Sequence, residues 1–195
     1  HSNTPHDRAQ FEVCAHKWVD LSEGDYGVAL LNDGKYGHDT LDNMLSLTLL
    51  KSPVSPDPQA DRGEHTFTYA LLPHLGGFMA DEVVREAYNL NVPLSFVTAG
   101  HGAAEAKAIR FCSVSNPNVV VETVKKAENS DAVIMRLYEA GNSRGQTTLT
   151  FDRRVKQACE CNLLEEGELP VKVRRRSVTV PVAPFEIKTL RIVFA

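Results

Sequence analysis

The sequence predicts a mainly β fold, built of antiparallel β-sandwiches and carrying one short helix. Three observations predict it. Apolar residues recur with a period of two along most of the chain, the pattern of strands with one buried face. Turn residues separate these runs at short intervals. After Asp81 the spacing becomes helical.

In chain order, Phe11, Val13 and Ala15 alternate with Glu12, Cys14 and His16. Tyr26 to Leu31 is an apolar run that stops at Asn32, Asp33 and Gly34, residues that tolerate left-handed turn angles. Leu45, Leu47 and Leu49 form the next alternating run, ending at Lys51, and Phe67, Tyr69 and Leu71 the one after it. The segment 52–64 between them holds Pro53, Pro56 and Pro58, which excludes a central strand. A loop this long in a compact domain is functional or a contact surface.

Asp81 is placed to cap a helix in which Val83, Val84, Ala87 and Tyr88 share a face, and Asn91 to Pro93 ends it. The Gly/Ala-rich stretch 98–105 is expected to be a linker or loop. Strands are then expected near 111–115, 119–125, 133–139, 147–151, 156–163, 171–181 and 187–194. Short strands separated by turns at this spacing mark a small antiparallel sandwich.

Composition narrows the function. The 195 residues are 43% hydrophobic with a net charge of −4, which suits a soluble globular protein and argues against nucleic acid. The basic run Lys172, Arg174, Arg175 and Arg176 reads as a solvated strand face. No apolar run reaches the ~20 residues that cross a bilayer, so no membrane partner is expected. With His1 first and no signal pattern, the chain is expected to be a processed or excised piece. Cys14 and Cys112 are expected in the core. Cys159 and Cys161 share a strand face but lack the second ligand pair of a zinc site. Reduced thiols fit a cytoplasmic location.

A self-contained glycosidase would need two carboxylates placed about a sugar pocket, and no spacing singles out such a pair. Metal-site histidine pairs, a nucleophile elbow and a phosphate loop are missing from the sequence. His16, Asp20 and Ser22 fall on one face of a strand, but positions two apart diverge by about 6–7 Å and cannot converge as a triad. Trp18 is either a core anchor or an exposed ring for stacking on sugar or on a neighbouring domain.

Several ordered blocks carry a family resemblance. They are Phe11-Glu-Val-Cys-Ala-His-Lys-Trp-Val-Asp-Leu-Ser-Glu23, Tyr26-Gly-Val-Ala-Leu-Leu-Asn-Asp-Gly-Lys-Tyr-Gly37, Leu47-Thr-Leu-Leu-Lys-Ser-Pro53 and Pro56-Asp-Pro-Gln-Ala-Asp-Arg-Gly-Glu-His65. Phe67-Thr-Tyr-Ala-Leu-Leu-Pro-His74, Glu122-Thr-Val-Lys-Lys-Ala-Glu128, Met135-Arg-Leu-Tyr-Glu139 and Pro184-Phe-Glu-Ile-Lys-Thr-Leu190 follow. In this order and near spacing they resemble the C-terminal region of glycoside hydrolase family 38 α-mannosidases of the cytosolic, class II type.

The resemblance implies a parent enzyme that removes terminal non-reducing α-D-mannose with retention. It uses an aspartate nucleophile and a divalent metal, zinc or cobalt, in an N-terminal catalytic domain. None of those residues has a counterpart here. No catalytic residue, cofactor or metal ligand is therefore expected in this chain. Residues 1–105 would be the C-terminal part of the large sandwich and 106–195 a small C-terminal sandwich. Expected partners are the chain's own catalytic domain and, through it, mannose oligosaccharide. Self-association through exposed strand edges is also expected. Loops of this region reach the sugar site in the family, which marks Lys51, Asp61 and Arg62 as a candidate substrate rim. The alternative function is a stand-alone carbohydrate-binding module.

Overall fold

The structure, a computed structural model, describes residues 5, 12–77, 81–98 and 108–195. The chain divides into two units, His1–Thr98 and Ala99–Ala195. The linker expected at 98–105 lies almost wholly outside the described residues.

The first unit contains β1 (Val13–Cys14), β2 (Trp18–Glu23), β3 (Tyr26–Asn32), β4 (Gly37–Leu41), β5 (Met44–Leu47), β6 (Tyr69–Leu75) and α1 (Asp81–Asn91). Its two sheets are antiparallel, with strand orders β1-β4-β5 and β2-β3-β6. The β2–β3 turn needs a left-handed residue and has Gly24 at φ 59°.

Alternation sorts the β2-β3-β6 sheet into two faces. Trp18, Asp20 and Ser22 lie across from Leu31, Ala29 and Gly27, which lie across from Ala70, Leu72 and His74. Helix α1 covers this face. Its Val83 and Ala87, one turn apart, are fully buried with Ala29 and Leu31, and Trp18, Ala70, Leu72 and Leu90 pack around them. Trp18 is thus a core anchor. The Asn91 amide ends the helix by donating to Ala87 O at 2.8 Å and to Asn32 O at 2.9 Å. The side chain of Asp81, expected as the cap, lies outside the described residues.

The first unit departs from expectation at strand ends. The first strand keeps only Val13–Cys14 among the described residues, and Cys14 is exposed rather than in the core. Strand β5 stops at Leu47 because its partner β4 begins at Gly37, whose carbonyl takes the Thr48 N–H at 2.8 Å. Lys51 therefore lies beyond a strand, not at its end.

The second unit is a sandwich. One sheet has the order β13-β14-β10-β7 and the other β12-β11-β15-β9-β8. The strands are β7 (Cys112–Val114), β8 (Val119–Lys126), β9 (Val133–Glu139), β10 (Gly145–Phe151), β11 (Val155–Cys161), β12 (Leu169–Pro170), β13 (Val173–Arg174), β14 (Ser177–Val182) and β15 (Ile187–Phe194). Alternate residues fill the space between the sheets. Met135 and Leu137 with Leu190 and Ile192 face Leu149, Phe151, Val178, Val180 and Val182. Phe111, Phe151 and Phe194 meet edge to face, with centroids 5.3–6.0 Å apart.

The single strand expected over 171–181 is broken. Arg175 and Arg176 form a two-residue turn between β13 and β14, with Arg175 at φ 53°. Their carbonyls accept the N–H groups of Val155 at 2.8 Å and Phe151 at 2.9 Å, which holds the turn.

Candidate functional site

The segment after β5 leads from Lys51 through Asp61 and Arg62 to His65. Asp61 closes its neck. Its carboxylate Oδ2 accepts the Ser52 N–H at 2.9 Å, and its carbonyl meets His65 Nε2 at 2.8 Å. Ser52 and Asp61 both take left-handed backbone angles, φ 47° and 59°. Asp57 shapes the far bend by accepting the Gln59 N–H at 2.9 Å. The loop thus brings Lys51 and Asp61 next to each other across its neck, with Arg62 adjoining. All three are exposed. No ion pair joins them among the described residues.

Next to this loop's strands the β2-β3-β6 sheet has an open face. Leu21, Val28, Leu30, Tyr69 and Leu71 line one side of an apolar cleft of about 790 Å³, and Leu45 and Leu47 of β5 line another. Leu71 is 67% exposed there. Single exposed apolar residues are ordinary, but a continuous face of this kind marks an interaction surface.

On the opposite face lies a buried polar cluster. His74 Nε2 meets Asp20 Oδ2 at 2.6 Å, and Ser22 Oγ donates to Asp20 Oδ1. The His74 and Asp20 side chains are 0% and 2% exposed. The hydrogen bond to Asp20 raises the His74 pKa, and burial opposes that rise. Asp20 and Ser22 do meet, contrary to the expected divergence, and the histidine is His74 rather than His16. Gly27 makes room for this, because a Cβ there would stand 2.6 Å from both His74 Cε1 and Ser22 Oγ. Ser22 donates to the aspartate and not to the histidine, so its hydroxyl is not activated as a triad nucleophile would be. The cluster ties β2 to β6.

A second network shapes the turn after β3. Buried Asn32 accepts the N–H groups of Gly34 at 3.1 Å and Lys35 at 2.7 Å, while its amide meets His38 Nε2 at 3.2 Å. Burial pushes the His38 imidazole below its ordinary value.

In the second unit Glu139 is fully buried at the end of β9. Its Oε1 accepts Gly141 N–H, Ser143 N–H and Ser143 Oγ–H at 2.8, 3.1 and 2.9 Å. Oε2 accepts Phe185 N–H at 3.0 Å. Burial pushes this carboxyl up, but these four donors outweigh it and hold it below its ordinary 4.5. Cys112, Cys159 and Cys161 are thiols with raised pKa values caused mainly by burial, and none of the four cysteines is in a disulfide. Among the described residues no group of three or more His, Cys, Asp or Glu side chains is placed to hold a metal ion.

These features define a mainly β protein of antiparallel sheets whose second unit is a closed sandwich and whose first unit presents an open apolar face. Comparison with known proteins narrows this class. The family model described as the glycosyl hydrolases family 38 C-terminal domain matches residues 1–59. The family 38 C-terminal β-sandwich domain matches residues 118–190. Alpha-mannosidase 2C1 of Mus musculus is 44% identical over 99% of this chain and 19% of its own length. Alpha-mannosidase G of Dictyostelium discoideum is 41% identical over 99% of this chain and 18% of its own length. A solved family 38 protein from Enterococcus faecalis superposes with a TM-score of 0.75 at 20% identity, covering 94% of this chain and 23% of that one. The chain belongs to glycosyl hydrolase family 38, as its C-terminal region. It spans about a fifth of the length of the curated relatives it matches.

Proposed function

We propose that this chain is the C-terminal accessory region of an α-mannosidase that hydrolyses terminal non-reducing α-D-mannose with retention, and that it has no turnover by itself. The observation that carries the reading is the 44% identity to alpha-mannosidase 2C1, which extends over 99% of this chain but only 19% of that enzyme. The buried polar groups support it. Asp20, His74 and Glu139 are each consumed by structural partners, where a retaining glycosidase needs two carboxylates about 5–5.5 Å apart beside a sugar. A zinc or cobalt ion in the parent does not fit the described residues, which gather no ligand set for it. No step through a metal is assigned to this chain.

In this reading the apolar cleft on the β2-β3-β6 sheet is covered in the longer polypeptide, and the catalytic domain is the partner of this region. Lys51, Asp61 and Arg62 stand at the rim of the sugar site. Asp61 holds the loop neck, and Lys51 and Arg62 have side chains free to meet hydroxyl groups of a branched oligosaccharide. No helix is long and apolar enough to cross a membrane among the described residues. The free thiols support a cytoplasmic location.

The test is Lys51→Ala and Arg62→Ala in the full-length enzyme, assayed on a branched oligomannose and on a small aryl mannoside. The expected result is a rise in KM for the oligosaccharide of about threefold to tenfold, as one or two polar contacts are lost. The aryl mannoside should be unaffected. Unchanged kinetics on both substrates would remove the rim assignment.

A further inference from the structure

The two units carry opposite charge. Residues 1–98 hold 6 basic and 14 acidic residues, a net of −8, whereas residues 99–195 hold 15 and 11, a net of +4. The excess in the second unit is concentrated. The turn carrying Arg153 and Arg154 and the turn carrying Arg175 and Arg176 are held together, since Val155 N–H donates to Arg175 O and Phe151 N–H to Arg176 O. Lys172 and Arg174 alternate with the inward Val171 and Val173, and Lys156 follows the buried Val155. Two basic runs about twenty residues apart in sequence thus become one patch.

The acidic residues nearby are engaged elsewhere. Glu160 pairs with Lys188, Glu165 with Lys125, and Glu168 with Arg191. Asp152 reaches only Arg153, at 3.9 Å. Arg154, Lys156, Lys172, Arg174, Arg175 and Arg176 are all exposed. None of the six forms an ion pair among the described residues. A protein that concentrates like charge without internal partners bears a repulsion that an oppositely charged surface relieves.

We propose that this edge of the second unit is a docking surface for an acidic protein segment. The chemistry favours carboxylates over other anions. No large apolar or aromatic side chain is exposed within 152–156 or 172–177, so the patch has nothing to stack on a nucleobase or insert into a lipid surface. The N–H groups of Phe151, Asp152 and Val155 are taken by carbonyls, so they contribute nothing to a phosphate-binding nest. What remains is a spread of guanidinium forks, which match carboxylates two bonds at a time as they do phosphates. Carboxylates are favoured by the missing amide nest and stacking groups, and binding of oligoglutamate against polyphosphate separates the two anions. The patch also adjoins β13, an edge strand of its sheet. One or two charges suffice to guard such an edge against pairing, and four basic residues, Lys172, Arg174, Arg175 and Arg176, lie on or beside β13.

The test is binding of a fluorescent twelve-residue oligoglutamate peptide to the full 195-residue chain. Two variants, R175Q/R176Q and R154Q/K156Q, each remove two charges from the patch. R85Q/K126Q removes two outside it and is the control. Saturable binding is expected, weakened at least about tenfold by either patch variant and by raising salt from about 50 to about 200 mM, because exposed charge pairs are screened. The control should bind like the parent chain. Equal loss in all three variants would overturn the proposal. So would absence of binding, or binding of polyphosphate but not of oligoglutamate. Aggregation of the patch variants without loss of peptide binding would reduce the patch to an edge guard and overturn it too.

Discussion

Replacing Glu139 by glutamine removes one charge from the end of the second sandwich without changing the side chain's size. The carboxylate accepts four hydrogen bonds, three on Oε1 and one on Oε2. Glutamine keeps the three on its carbonyl oxygen but loses their charge assistance. Its amide then faces the Phe185 N–H, donor against donor, in a site with no solvent contact. One lost charge-assisted bond with a stranded donor amounts to about 2–4 kcal/mol, a large share of the ~5–15 kcal/mol that holds a domain together. The folded carboxyl lies below its ordinary 4.5. Its stabilisation is therefore full above the unfolded value and fades as pH falls through the folded one. The gap between the parent and E139Q should be constant near neutrality and close on the acid side of pH ~4.5. Urea unfolding followed by hydrogen exchange at the Gly141, Ser143 and Phe185 amides reads this unit directly. A difference below about 0.5 kcal/mol, the scatter of ordinary surface substitutions, would refute the reasoning. A gap that persists unchanged in acid would refute it equally.

Other outcomes follow from the first unit. The His74 pKa is raised, so its ion pair stabilises fully below the unfolded value of 6.5 and the benefit is lost as pH rises through the folded value. Trp18 fluorescence should report weaker resistance to urea on the alkaline side, and H74Q should flatten that dependence. D20N leaves the buried histidine without its carboxylate and should cost about 3 kcal/mol by the same probe; a change near zero would deny the pair a structural role. Gly27→Ala drives a methyl into His74 and Ser22 and should destabilise by about 1–3 kcal/mol, with Gly77→Ala, where a Cβ meets nothing within 4 Å, as the neutral control. The open apolar face should make the isolated chain self-associate in light scattering at high concentration. A monodisperse monomer would count against that expectation.

Strands whose two faces differ were legible from the sequence, because burial writes a period of two. Strands β9 and β15 came out to the residue for that reason. Strand order was not legible, since β15 sits between β11 and β9 through contacts that no local pattern records. The turn at Arg175 and Arg176 was missed because arginine has no turn preference; its one local trace is the change of parity from Val171 and Val173 to Val178 and Val180. That miss hid the basic patch, which exists only once β13 and β14 fold back beside Val155. The Asp20–His74 pair spans 54 positions. Its one trace in sequence is Gly27, a residue without a side chain inside an otherwise apolar strand. Lys51, Asp61 and Arg62 were singled out through family resemblance. The bond from Ser52 N–H to Asp61 that joins the loop ends needs left-handed angles at two non-glycine residues, which nothing local announces.

The most direct measurement is mannose release from an aryl α-mannoside by the purified 195-residue chain, beside the full-length enzyme and with zinc or cobalt supplied to both. The expected result is turnover by the full-length enzyme and none above background by the chain. Steady mannose release by the chain alone, abolished by a substitution within it, would contradict the reading that its polar groups hold the fold and leave the chemistry to another part of the protein.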